Sequence, residues 1–393
     1  MTPGARVQAA IEVLDTISGG VAAEQALTQW ARRSRFAGSK DRAAVRDHVF
    51  DVLRRKRAAA ALGGGETGRA LMLGLLRIEG VPPESLFTGE GHAPAPLGPD
   101  ETNPKARGLG KAEAWNLPDW ILPEFTLSLG AQAGEIAGLL QKRAPVSLRV
   151  NLRKTDLAGA GAALAAEGIE VRPNPRAATA LTVTEGAGRL RNARAYRDGW
   201  VELQDASSQA AIAGLPPGGR VLDYCAGGGG KALALAMDPD RRIDAHDADP
   251  RRMRDLPARA ARAGVEIRQV SGKQAAQSAP YDLVLCDAPC SGSGAWRRAP
   301  EGKWSLDAAR LSALNVVQDS ILDTASRIVA ARGLLVYVTC SVLECENSAR
   351  IDRFLADHPD WRCVSTQRFL PDADGDGFFA AHLTRDHGNV YST

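Results

Sequence analysis

The chain has 393 residues, 44% of them hydrophobic and 24% charged, which exceeds the size at which one hydrophobic core stops growing and excludes wholesale disorder. No apolar run reaches the roughly 18 residues that cross a bilayer. The start, MTPGARVQAAIEVLDTISGG, lacks the basic-then-apolar order of a secretory leader, so a cytoplasmic protein without membrane attachment is expected.

The formal charge of +3 conceals an asymmetry, because residues 1–62 hold 11 Lys/Arg against 6 Asp/Glu. Such a surplus fits a polyanion partner, and it fits a solvated helical face equally well. From Gln8 to about Leu76 apolar residues recur at helical spacing, as in Ala9, Ile11, Val13 and Leu14, then Val45, Val49, Val52 and Leu53. A helical domain over 1–80 is predicted. Residues 81–118 mix proline, glycine and charge without a period and read as a linker or a surface wrap. A helical stretch over 123–140, the strand-like VSLRVNL, a helix ending near Gly168, and short strands at 169–171 and 180–183 then predict a small α+β domain over 119–205.

From Gly219 onward apolar runs alternate with helices: RVLDYCA, RIDAHDA, EIRQVS, YDLVLCDA and GLLVYVTC. This pattern implies a parallel sheet covered on both faces, a doubly wound α/β domain over 206–393. Its first strand runs into Cys225-Ala226-Gly227-Gly228-Gly229-Gly230-Lys231, a turn that lets backbone amides approach a ligand at the strand ends. A plain tight strand–helix turn would have the same glycines. The second strand ends in His246-Asp247, about 20 residues on, where a carboxylate can accept ribose hydroxyls or cap the next helix. Together these features point to a nucleoside-containing cofactor and leave a dinucleotide and S-adenosylmethionine both open.

The cysteines choose between them. All six (Cys225, Cys286, Cys290, Cys340, Cys345, Cys363) follow residue 224, unlike the framework of a small secreted protein, and reduced thiols are expected. Cys-x3-Cys and Cys-x4-Cys spacings are not paired Cys-x2-Cys, so no metal is expected. Two strands emerge as Asp287-Ala288-Pro289-Cys290-Ser291-Gly292 and Thr339-Cys340-Ser341, which would put two thiols at one sheet edge. Carbon 5 of cytosine becomes nucleophilic only after a thiolate adds to carbon 6, and an acid near the ring nitrogen, for which Asp287 is the candidate, would assist. Cys286 and Cys363 read as small buried hydrophobes.

These motifs resemble the RsmB-type ribosomal RNA cytosine-5 methyltransferases, within the wider RsmB/Nop/NSUN group. The resemblance covers nearly the whole chain and is carried by Asp287–Gly292, by Thr339-Cys340-Ser341 with Glu346-Asn347, and by Asp223-Tyr224-Cys225-Ala226 with Gly229-Gly230-Lys231. Arg149-Val150-Asn151, Gln204–Gln209, Arg297-Arg298-x-Pro300 with Lys303-Trp304, and Gly377-Phe378-Phe379-x-Ala381 are weaker matches. The resemblance implies a Rossmann-like methyltransferase domain and a NusB-like helical domain that helps bind RNA. It implies S-adenosylmethionine as cofactor, RNA as partner and a monomer. It gives Cys340 as nucleophile and Cys290 as the group that assists release. The loop from Cys225 to Lys231, with Asp247, Arg252 and Asp287, would contact cofactor or catalytic groups.

This chain departs from the pattern at Gly227-Gly228, where Ala-Pro is usual, and at Ala232, where Thr is common. The third strand ends in Val270-Ser271-Gly272-Lys273 instead of an acid, leaving Ser271 to bond the adenine. A looser loop and weaker cofactor affinity are expected, since proline fixes a backbone angle that glycine leaves open. Two rival readings are a methyltransferase acting on another substrate, which would have no use for two cysteines, and an RNA-binding ribosome-assembly protein with little turnover.

Overall fold

A computed structural model describes residues 1–102 and 108–385. Its chain divides into two units, one comprising Met1–Thr126, Ala131–Arg143 and Trp296–Asp307, the other Leu127–Gly130, Ala144–Ala295 and the chain from Ala308 onward. The first unit is built on helices α1 (Pro3–Ser18), α2 (Ala23–Arg33), α3 (Ser39–Arg54), α4 (Lys56–Gly63) and α5 (Gly68–Ile78). Helix α1 starts where it does because the Thr2 hydroxyl accepts the Ala5 N–H and Pro3 occupies a position that needs no donor. The apolar positions at helical spacing, among them Val7, Val13, Leu14, Val45, Val49 and Val52, close one core with Leu71 to Leu76.

Phe87, from the proline- and glycine-rich stretch, is buried in that core, so this part of the chain folds with the first unit. Trp296–Asp307 also packs here, although it interrupts the α/β sequence. The Lys303 ammonium donates to the Arg54 carbonyl at 2.8 Å, the Trp304 indole donates to the Leu53 carbonyl at 2.7 Å, and Glu301 accepts the Ala23 N–H at the start of α2. Lys303 is fully buried, and burial with the neighbouring Arg54 charge pulls its pKa down to about 7. On the outer side of α2 and α3, Arg32, Arg33, Arg35, Lys40 and Arg42 are exposed together with Phe36 and form no ion pair among the described residues.

The second unit holds two sheets. Strands β1 (Val146–Val150), β2 (Glu170–Pro173), β3 (Ala180–Glu185) and β4 (Val201–Leu203) form an antiparallel sheet in the order β2-β3-β1-β4, with the helix Leu157–Ala165 buried against it through Ala160 and Leu164. The larger sheet has seven strands, β5 (Gly219–Asp223), β6 (Arg241–Ala245), β7 (Ile267–Gln269), β8 (Tyr281–Asp287), β9 (Val329–Thr339), β10 (Trp361–Phe369) and β11 (Phe378–Arg385), in the order β10-β11-β9-β8-β5-β6-β7.

Strands β5 to β9 run parallel, as their apolar runs predict. The purely parallel sheet is corrected by β11, which pairs antiparallel with β9 and with β10. The final hairpin escapes the sequence pattern because β10 is an edge strand with mostly solvated side chains. Two cores flank the sheet, one with Val221, Leu283, Leu285 and Val336, the other with Leu222, Val284, Leu335 and Tyr337. Alternate residues of each strand therefore serve opposite faces. No helix among the described residues is long and apolar enough to cross a membrane.

Candidate active site

The glycine turn is tied to both neighbouring strands. Tyr224 N–H donates to the Leu285 carbonyl and Ala226 N–H to the His246 carbonyl, each at 2.8 Å. Gly229 has φ +80°, which requires glycine, and a Cβ there would lie 2.3 Å from Leu256 Cδ1 and displace that side chain. Behind the turn, buried Arg149 donates from Nη1 to the Gly230 carbonyl at 2.8 Å and to Gln204. Burial pulls the Arg149 pKa down to about 10. This buttress was not legible as a site feature, although Arg149 and Gln204 belong to the weaker motif matches.

Asp247, at the end of β6, is buried. Its Oδ2 accepts the Gly227 N–H at 2.8 Å and Arg252 Nη1 at 3.3 Å, and its Oδ1 accepts the Asp249 N–H at 2.9 Å. Arg252 is thus an Asp247 partner, with a side chain still 59% exposed. Ser271 stands after β7 as the exposed N-cap of the helix Gly272–Ser278, in a reciprocal capping box with Gln274. His246, between these residues, packs against Tyr224 with ring centres 5.0 Å apart and planes tilted by 48°, and bonds the Val270 carbonyl through Nδ1.

Lys231 reaches across the sheet edge. Its ammonium meets Asp287 Oδ2 at 2.7 Å and lies 5.1 Å from the centre of the Phe378 ring. Asp223, at the end of β5, is fully buried with neither carboxylate oxygen hydrogen-bonded. Burial, and then the Asp287 charge, push it up to about 7. Burial likewise pushes the Cys225 and Cys286 thiols well above the ordinary range.

Cys290, three residues beyond β8, and Cys340, immediately after β9, bring their sulfurs to 3.4 Å. The hydrogen bond to Cys340, then burial, push the Cys290 thiol well above its usual range. Both loops are held by one buried carboxylate. Glu346 Oε1 accepts the Ser291 N–H at 2.7 Å and the Gln318 amide at 3.2 Å, while Oε2 accepts the hydroxyls of Ser291 and Ser341. Gln318 also donates to the Pro289 carbonyl at 2.9 Å, and Ser293 bridges Ser341 and the Val342 N–H. Gly294 N–H donates to the Cys340 carbonyl at 3.0 Å; a Cβ on Gly294 would lie 2.2 Å from the Gly377 carbonyl oxygen. The signal available in the sequence was the run of small hydroxyl residues flanking each cysteine, together with Glu346-Asn347.

The structure therefore brings Cys290 to Cys340, Lys231 to Asp287, and the glycine turn to Asp247 and Arg252. Ser271 sits apart from these bonds. No group of three potential metal ligands occurs among the described residues.

A seven-stranded sheet with one antiparallel strand, and a glycine turn and acidic strand end at its carboxyl edge, place the second unit in the Rossmann-like methyltransferase class. A methyltransferase homolog protein from Pyrococcus horikoshii shares this fold with a TM-score of 0.61 and 24% identity, covering 70% of this chain and 98% of its own. Residues 212–384 match the model of the 16S rRNA methyltransferase RsmB/F family, and residues 117–188 match the RsmF/B-like ferredoxin-like domain. Ribosomal RNA small subunit methyltransferase B of Xylella fastidiosa is 32% identical over 88% of this chain and 90% of its own length. The protein of the same name from Vibrio cholerae is 33% identical over 69% of this chain, and the match spans 65% of that relative. The chain belongs to the RsmB/F methyltransferase family.

Proposed function

We propose that this chain transfers a methyl group from S-adenosylmethionine to carbon 5 of a cytosine in RNA, and that the RNA is ribosomal, as the names of its relatives indicate. The observation that carries this reading is the contact between Cys290 and Cys340 beside Asp287, at the edge of the sheet where the glycine turn lies. A direct transfer to an amine needs one acceptor and no thiol, whereas cytosine carbon 5 needs a nucleophile on carbon 6.

Cys340 attacks carbon 6, the displaced electron pair moves to the ring nitrogen, and Asp287 delivers a proton there as the acid; in its resting ion pair with Lys231 it is a carboxylate and takes up that proton first. Lys231 holds Asp287 in place through its ion pair. The cofactor, when bound, supplies an electrophilic methyl group on a sulfonium. A general base then takes the proton from carbon 5, the released electron pair re-forms the 5,6 double bond, and the bond from Cys340 to carbon 6 breaks with the thiolate as leaving group. Cys290, 3.4 Å from Cys340, donates a hydrogen bond as a thiol to the departing thiolate.

The residues fit the cofactor. Backbone from Cys225 through Ala226, Gly227, Gly228, Gly229 and Gly230 to Lys231 forms the turn at the strand edge. A carboxylate offers about four acceptor positions, and three on Asp247 are taken. The longest bond, from half-exposed Arg252, is the one that a ribose diol would replace. The Ser271 hydroxyl spends its donor and one lone pair on Gln274, so it would bond the adenine only as an acceptor, through its second lone pair.

The test is to incubate the protein with labelled S-adenosylmethionine and unmethylated ribosomal RNA and to map 5-methylcytosine by bisulfite sequencing. Appearance of 5-methylcytosine at one position is expected. RNA binding without transfer would favour an assembly role, and label on an exocyclic amine would remove the two-cysteine chemistry.

A further inference from the structure

Cys290 and Cys340 follow parallel neighbouring strands, β8 and β9, and their sulfurs are 3.4 Å apart. A disulfide needs about 2.05 Å. The loops that carry them are already joined through Glu346 and through the Gly294 N–H to the Cys340 carbonyl, which leaves closing the gap to the two side chains. Cys290 and Cys340 are partly exposed as residues at the strand ends, while Cys286 is sealed in the sheet. The pair therefore has what an oxidisable dithiol requires: contact, access and a shared rigid frame.

We propose that Cys290 and Cys340 form a reversible disulfide in the presence of a peroxide, a modification that disarms the active site and shields Cys340 from irreversible oxidation. The Cys340 thiolate attacks one peroxide oxygen; a sulfur–oxygen bond forms, the oxygen–oxygen bond breaks, and hydroxide leaves. The Cys290 sulfur then attacks the Cys340 sulfur, the sulfur–sulfur bond forms and the sulfur–oxygen bond breaks. The departing hydroxide takes the Cys290 proton and leaves as water. Overall, two thiols are oxidised and one peroxide is reduced to two waters. Either sulfur can be the donor in the 3.4 Å contact, and the same disulfide results whichever of the two meets the oxidant first. A cytosine that occupies Cys340 through carbon 6 blocks the reaction, so the modification acts on the enzyme between turnovers.

The loss of activity rests on the proposed function, whereas the sulfur chemistry does not. The full chain, reduced and then treated with stoichiometric hydrogen peroxide, is digested without reductant and analysed by mass spectrometry. A peptide linking Cys290 to Cys340 is expected, with methyl transfer to RNA lowered at least tenfold and restored by dithiothreitol. In Cys290→Ser the same treatment should drive Cys340 to sulfinic acid, which dithiothreitol does not reverse. Wild-type protein in which Cys340 becomes sulfinic acid while Cys290 stays reduced, or in which either cysteine pairs elsewhere, would overturn the proposal. A linked peptide in a protein that never methylates RNA would leave the disulfide standing and count against the functional reading alone.

Discussion

Asp223→Asn isolates the cost of a buried carboxylate. Asp223 lies at the end of β5 with no hydrogen-bond partner on either oxygen, and burial raises its pKa from 3.8 to about 7. Each pKa unit corresponds to about 1.4 kcal/mol, so the folded protein loses about 4 kcal/mol as the pH rises from below 4 to above 7. The sign follows from proton binding: within that window the folded state holds the Asp223 proton and the unfolded state has released it, so stability falls with rising pH. Asparagine keeps the shape and does not titrate; its amide costs about 1–3 kcal/mol if it also lacks a partner, but that cost is independent of pH. Urea unfolding of both proteins at pH 4.5, 6 and 8 measures the difference, in which other carboxylates cancel. The variant should gain on the wild type by several kcal/mol from the lowest pH to the highest. Parallel profiles would show that Asp223 is solvated or partnered and would refute the reasoning.

Other consequences are equally direct. Glu346→Ala leaves the Ser291 N–H and the Ser291 and Ser341 hydroxyls without their buried acceptor; a stability loss of about 3–5 kcal/mol is expected by urea unfolding, together with at least a tenfold fall in methyl transfer. Asp247→Ala should weaken S-adenosylmethionine binding severely by calorimetry, while Arg252→Ala should change it less than threefold, because its 3.3 Å bond is the one the ribose replaces; equal losses would make Arg252 a ligand in its own right. Arg32→Ala combined with Arg35→Ala removes two exposed cations from the α2–α3 surface, and the salt dependence of RNA binding should become shallower by about 1.4–1.8 in log–log slope. An unchanged slope would make that surface a solvated face.

What the sequence revealed depended on how local each signal was. Strands β5, β8 and the latter half of β9 were legible because each is a largely apolar run ending at a chemically marked residue, Asp223, Asp287 or Thr339. The hairpin of β10 and β11 was not, since β10 alternates buried Trp361 with solvated Arg362 and Ser365 and mimics a polar loop. Cys290 and Cys340 could be assigned to one edge, but not the 55-residue span from Ser291 to Glu346 that fixes their separation. Asp247 was identified as a site carboxylate, yet its partners Gly227 and Arg252 are set by the fold of the loop and not by spacing. The burial of Lys303 against Arg54 joins residues 249 positions apart, so the segment around Trp304 could not be placed with the helices by any local pattern.

The proposed division of labour between the Cys290 and Cys340 sulfurs is tested most directly by covalent trapping on RNA. Wild type, Cys340→Ala and Cys290→Ala are each incubated with S-adenosylmethionine and substrate RNA and run on a denaturing gel. Cys290→Ala should accumulate a protein–RNA adduct, because carbon 6 attack proceeds while release loses its hydrogen-bond donor, and Cys340→Ala should form none and transfer no methyl group. An adduct retained in Cys340→Ala and lost in Cys290→Ala would contradict the account and exchange the roles of the two thiols.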